Sequence, residues 1–246
     1  MSENERFFAE AKAKMPVVGI LRDIPAGAEK VCAETAAKEG LSIIEVTMNT
    51  PGAAGILTEL RQACEPLGIV TGAGTVRTMA DLKTAAKAGA QFIVSPTTFP
   101  EIVKETVKLE LPSIPGAATP TEVETAFRAG ATCVKVFPVG AFGGPKYIKE
   151  LRGPFRDIPL LACGGVNPEN ARAYLEAGAN LLAFGGSIFN AGLMQTGNWA
   201  EIAQRLRELL SEVEAWKASR QTRQKPSCAE PPCRTKLRNY TAPSGE

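Results

Sequence analysis

Four times along the chain a helical pattern ends in a glycine turn and gives way to an apolar, β-rich stretch. The copies are AAKEGLSIIEV (36–46), AAKAGAQFIVS (85–95), AFRAGATCVKV (126–136) and YLEAGANLLAF (174–184). Each glycine stands where a helix takes its left-handed C-terminal cap. Gly40, Gly89, Gly130 and Gly178 are 49, 41 and 48 residues apart. That period is too long for one strand-helix unit and fits two.

The missing strands lie between the copies, as PVVGIL (16–21), LGIVTG (67–72), LPSIPG (111–116) and IPLLAC (158–163). Interleaving gives eight near-continuous apolar strands, each followed by an amphipathic helix, with one more helix at 4–14 ahead of the first. Such a chain makes a parallel sheet covered by helices. Eight units in about 200 residues predict an α/β fold, a (β/α)8 TIM barrel with an extra N-terminal helix; a doubly wound open sheet is the alternative. The final helix, 198–219, carries Ile202, Leu206, Leu209, Leu210 and Val213 at helical spacing. The reading therefore divides the chain into a barrel over 1–219 and a disordered, basic, proline-rich C-terminal tail over 220–246.

Charge follows the same division. Residues 217–246 hold seven Lys/Arg against two Asp/Glu, so a formal charge of +2 leaves the preceding residues at −3. No nucleic-acid surface is expected of the barrel. With no long apolar run and no signal-peptide core, no membrane association is expected either, and the reading is cytoplasmic. Six cysteines, Cys32, Cys64, Cys133, Cys163, Cys228 and Cys233, form no CxxC pair, and histidine is absent from the chain. A zinc site or a Ser-His-Asp triad thus lacks its material, and acid-base work falls to Glu, Asp, Lys, Tyr or Cys. The first four cysteines read as small buried hydrophobes, and the two in the tail as incidental.

In such barrels chemistry sits at the C-terminal strand ends and the loops that follow. The first strand ends in Arg22, the second carries Glu45, GAGT ends the third with Thr75, and Lys135 interrupts ATCVKVFPVG (131–140). Alternation places Ile43, Glu45 and Thr47 on one side of their strand and Cys133, Lys135 and Phe137 on one side of theirs. If both sides face the barrel mouth, a carboxylate and an amine converge. Desolvation disfavours an ammonium ion, lowers its pKa and frees a lone pair for attack on a ketone, while a carboxylate moves protons. A buried Glu45–Lys135 ion pair with no chemistry is the competing reading. Paired glycines after the seventh and eighth strands, in ACGGVNPEN (162–170) and AFGGSIFN (183–190), let backbone N–H groups approach an anion, phosphate or carboxylate.

Together these segments resemble the 2-keto-3-deoxy-6-phosphogluconate (KDPG) and 4-hydroxy-2-oxoglutarate (KHG) aldolase family from about residue 6 to 215. The match runs through GILR, IEVTMNTP, GAGTV, GAQFIVSP, PGAATPTE, VKVFPVG, GGPKYIKELRGPF, CGGV and GGS. The resemblance implies a cytoplasmic homotrimeric class I aldolase of Entner-Doudoroff type. It would cleave a 2-keto-4-hydroxy acid to pyruvate and an aldehyde, glyceraldehyde 3-phosphate or glyoxylate, with no metal or other cofactor. Lys135 would form the Schiff base and Glu45 would shuttle protons. Thr75 and the Ser95–Pro96 turn would border the pyruvyl part, and Phe137 would supply a hydrophobic wall. Gly164, Gly165, Gly185, Gly186 and Ser187 would hold the phosphate. Two departures stand out: Asn49 replaces a substrate-binding arginine of some members, and Cys163 replaces a common threonine. Arg22 could supply a cation, the pyruvyl carboxylate being its better target. Phosphorylated and unphosphorylated substrates both stay open. A phosphate-binding isomerase or synthase without a covalent lysine, and a non-catalytic barrel with the tail as an interaction arm, are the competing functions.

Overall fold

The expected barrel is present in the computed structural model, which describes residues 1–224. Nine short strands alternate with helices: β1 Val17–Leu21, β2 Ile43–Thr47, β3 Val70–Gly74, β4 Ile93–Val94, β5 Ser113–Ile114, β6 Gly116–Ala117, β7 Val134–Val136, β8 Leu160–Cys163 and β9 Leu181–Phe184. All pair in parallel, in the order β5-β4-β3-β2-β1-β9-β8-β7-β6. Eight strands become nine because Pro115, which lacks an N–H, interrupts the fifth. One half pairs with β4 and the other with β7, so the sheet closes through the chain itself. The interruption keeps its bonds: Lys135 N–H donates to the Pro115 carbonyl at 2.8 Å.

The helices are α1 Glu3–Lys14, α2 Glu29–Glu39, α3 Ala53–Cys64, α4 Met79–Lys87, α5 Pro100–Lys108, α6 Pro120–Arg128, α7 Pro145–Arg152, α8 Pro168–Glu176, α9 Ala191–Gln195 and α10 Trp199–Gln224. The four signature glycines all have left-handed backbones, with φ of 93°, 90°, 107° and 107° at Gly40, Gly89, Gly130 and Gly178. The period in the sequence is therefore a period of helix stops.

Alternation along each strand sorts side chains into two layers. Val18, Ile20, Ile43, Val70, Phe92, Val94, Ile114, Cys133, Leu161, Cys163, Leu181 and Ala183 fill the barrel interior. Their neighbours, such as Leu21, Ile44, Val46, Val134, Val136, Leu160 and Leu182, pack outward against the helices. The N-terminal helix closes the bottom: Phe8 is buried with the interior set, 5.2 Å from the Phe92 ring, and the Ser42 hydroxyl donates to the Ala11 carbonyl. The interior is thus plugged below, leaving the upper end for a cavity.

Ile202, Leu206, Leu209, Leu210 and Val213 of α10 are buried, as their spacing predicts. The helix does not stop at 219, however. It continues to Gln224, since no proline or glycine precedes Pro226 to end it. The rest of the expected tail, with Cys228 and Cys233, lies outside the described residues. Cys32, Cys64, Cys133 and Cys163 are free and buried, as expected. Among the described residues no helix is long and apolar enough to cross a membrane.

Candidate active site

A cavity of about 420 Å³ opens at the C-terminal ends of the strands. Arg22, Glu45, Thr75, Pro96, Lys135, Phe137, Cys163, Gly164, Gly165, Gly185, Gly186 and Ser187 all line it. Residues far apart in the chain meet there because each lies near or just beyond the C-terminal end of its strand. Lys135 and Glu45 are its buried charges, 7% and 1% exposed. No ion pair joins them, so the reading of a persistent salt bridge loses its geometry. Lys135 Nζ instead lies 5.3 Å from the Phe137 ring centroid.

Glu45 owes its position to a glycine opposite. The register sets Glu45 beside Gly72 and Thr47 beside Gly74, and a methyl group at Gly74 would stand 2.3 Å from Glu45 Oε1. Burial raises the pKa of this carboxyl group, with Lys135 and then Arg22 partly opposing the shift by attraction to its charge. The Cys163 thiol is pushed up as well, first by burial. It is held in the neutral form and lines the floor as a weak hydrogen-bonding group.

The two GG turns line the same cavity. Gly164 and Gly165 take left-handed backbones with φ of 93° and 90°. The N–H groups of Gly165, Val166, Gly186 and Ser187 find no acceptor within the described chain. Unpaired amides in glycine turns of this kind suit an oxyanion. The Ser187 hydroxyl donates to the Val166 carbonyl at 3.0 Å, and Asn170 Nδ2 donates to the Gly165 carbonyl at 2.7 Å. The first bond holds one loop against the other, and the second ties the loop after β8 to the start of α8.

Asn49 is not brought into the site. The turn after β2 curls on itself, with Thr50 N–H donating to the Thr47 carbonyl and the two threonine hydroxyls 2.9 Å apart, which leaves Asn49 exposed at the corner. Conversely, Ile20, Asp23, Val166, Phe184, Phe189 and Ala191 line the cavity without having been singled out. Five of these six are apolar and indistinguishable in sequence from core. Asp23, directly after Arg22 at the end of β1, was findable by the rule that located Arg22.

Comparison with known proteins gives a family and a fold. The family model described as "KDPG and KHG aldolase" matches residues 9–205. A 2-dehydro-3-deoxy-phosphogluconate aldolase of Haemophilus influenzae is 40% identical, over 72% of this chain and 83% of that protein. Among solved structures, a native KDPGal structure superposes with a TM-score of 0.78 at 30% identity, covering 83% of this chain and 97% of its own. The KDPG aldolase from Legionella pneumophila, with pyruvate captured as a covalent carbinolamine, superposes with a TM-score of 0.70 at 26% identity, covering 81% of this chain and 96% of its own.

Proposed function

We propose, from the premise that this chain belongs to the KDPG and KHG aldolase family and is an aldolase, that it is a class I enzyme that cleaves a 2-keto-4-hydroxy acid through a Schiff base on Lys135. The observation that carries this reading is a buried lysine and a buried glutamate in one cavity, not joined by an ion pair, beside amide donors that have no acceptor among the described residues.

The lone pair of Lys135 Nζ adds to the C2 carbonyl, and loss of water from the carbinolamine gives a protonated imine. Proton removal from the C4 hydroxyl lets the C3–C4 bonding pair move into the imine, releasing the aldehyde and leaving an enamine of pyruvate. Protonation at C3 and hydrolysis then return the free lysine. Glu45 moves these protons, directly or through water; burial raises its pKa, which favours the protonated form over that of an exposed carboxyl group. Arg22 takes the substrate carboxylate, Thr75 and Pro96 border the pyruvyl part, Phe137 walls it, and the GG loops receive the anionic or hydroxylated end. Candidate substrates are 2-keto-3-deoxy-6-phosphogluconate, its galactonate epimer and 4-hydroxy-2-oxoglutarate. We also read the protein as a cytoplasmic homotrimer.

Incubation with pyruvate and borohydride followed by peptide mapping tests the mechanism. One reduced adduct on Lys135 is expected, and no adduct or an adduct on another lysine ends the proposal. Light scattering on a sizing column tests the trimer.

A further inference from the structure

We propose that Asp23 is a specificity-determining residue, which accepts a hydrogen bond from a substrate hydroxyl beside the GG turns and weighs against a dianionic phosphate there. This rests on the aldolase reading and deepens it, because it concerns which end group the same site prefers.

The charges lining the cavity are two and two: Arg22 and Lys135 against Asp23 and Glu45. Lys135 is committed to the imine, which leaves Arg22 as the free cation among the lining residues, and every candidate substrate brings a carboxylate of its own. A phosphorylated substrate would add a second, doubly charged anion. For that anion the lining offers backbone dipoles and hydroxyl groups but no further cation, and Asn49 stands outside the cavity and carries no charge. Arg205, the cation behind the loop, is engaged by Glu201 at 2.8 Å and reaches only the Ser187 carbonyl.

Asp23 stands next to these turns. It follows β1, β1 pairs with β9, and Gly185–Ser187 follow β9. The backbone there is left-handed, with φ 56°, a conformation that aspartate tolerates better than most residues. A hydrogen-bond relay holds it: the Thr47 and Thr50 hydroxyls meet at 2.9 Å, and Asp23 N–H donates to Thr50 Oγ1 at 3.1 Å. Asp23 is exposed at the cavity rim, and its carboxylate has no protein partner among the described residues. An ionised carboxylate only accepts hydrogen bonds, so the ligand atoms that satisfy it are donors. A hydroxyl suits that position better than a phosphate dianion.

The test compares kcat/KM for a six-carbon 2-keto-3-deoxy acid ending in phosphate with the same acid ending in hydroxyl. In Asp23→Asn, which keeps shape and left-handed tolerance but loses the charge, the phosphate-to-hydroxyl ratio should rise about tenfold, on the order of 1.4 kcal/mol. Asp23→Gly, which relaxes the backbone, should shift the ratio the same way. In the wild-type enzyme, raising salt to ~0.5 M should also raise the ratio by screening the repulsion. A general loss of activity would not move a ratio, so a ratio within about twofold of wild type in both variants overturns the inference. If pyruvate leaves no trapped adduct on the wild-type enzyme, it is the aldolase reading that fails, and this one fails with it.

Discussion

At the scale of single residues, the site depends on a glutamate whose place is vacated by a glycine on the neighbouring strand. Glu45→Gln keeps the shape but cannot accept or release the catalytic proton, so kcat should fall by about two to four orders of magnitude, with pyruvate still trapped on Lys135, though more slowly. Unchanged turnover would remove the acid-base role. Gly74→Ala asks the positional question: a methyl group 2.3 Å from the carboxylate oxygen must displace it. A shift near 1 Å costs on the order of a hundredfold in rate, read as lost kcat in a protein whose circular dichroism is unchanged. Lys135 and Glu45 were legible in the sequence because a charge inside a β-rich apolar run is costly to desolvate and so invites a reason. That Asn49 turns away from the cavity was not legible, because strand register does not report how a turn curls. The left-handed backbones at Asp23 and Thr75 were invisible for the same reason: no local composition announces them.

At the scale of elements, glycine caps and apolar alternation sufficed to count the barrel's eight repeats, and the exceptions have identifiable causes. Proline splits the fifth strand, and α10 overruns its expected end for want of a breaker. Less legible is how consecutive units are fastened, as at Arg152 near the end of α7. Its Nε donates to the Gly178 carbonyl at 2.7 Å, and its Nη1 to the carbonyls of Phe155 and Ile158 at 2.8 and 2.7 Å. Nη2 donates to Asn180 Oδ1, which in turn accepts the Leu160 N–H at 2.9 Å. One guanidinium thus ties α7 to the end of α8 and the start of β8. A lysine has no fork to reproduce these directions. Arg152→Lys should cost about 2 kcal/mol, discounted for its partial exposure, and lower the Tm by roughly 4–8 °C. Because Arg152 lies outside the cavity lining, kcat/KM of the folded enzyme should stay within about twofold. An unchanged Tm would mean that water replaces the guanidinium without loss.

At the scale of the whole molecule, burying reduced thiols in both layers of the barrel makes alkaline stability a property of the fold. Burial raises the pKa of all four described cysteines, to about 11 at Cys64 and about 12 at Cys133, with Cys32 and Cys163 also raised. An unfolded thiol titrates near 8.5. A group whose folded pKa is raised contributes its full stability below the unfolded value and loses it as pH climbs toward the folded one. Above about pH 9 the unfolded chain therefore sheds protons that the folded chain keeps, and each thiol erodes stability by about 1.4 kcal/mol per pH unit. Lysines and tyrosines titrate there too, but they are common to wild type and variant and cancel in the difference. In Cys64→Ala/Cys133→Ala the lost packing should leave the protein less stable than wild type at pH 7.5. Its denaturant midpoint should then fall more slowly with pH, so that the gap narrows by roughly 2.7 kcal/mol per unit between about pH 9 and 10.5. Parallel curves for the two proteins across that window would mean that the buried thiols ionise without opening the barrel.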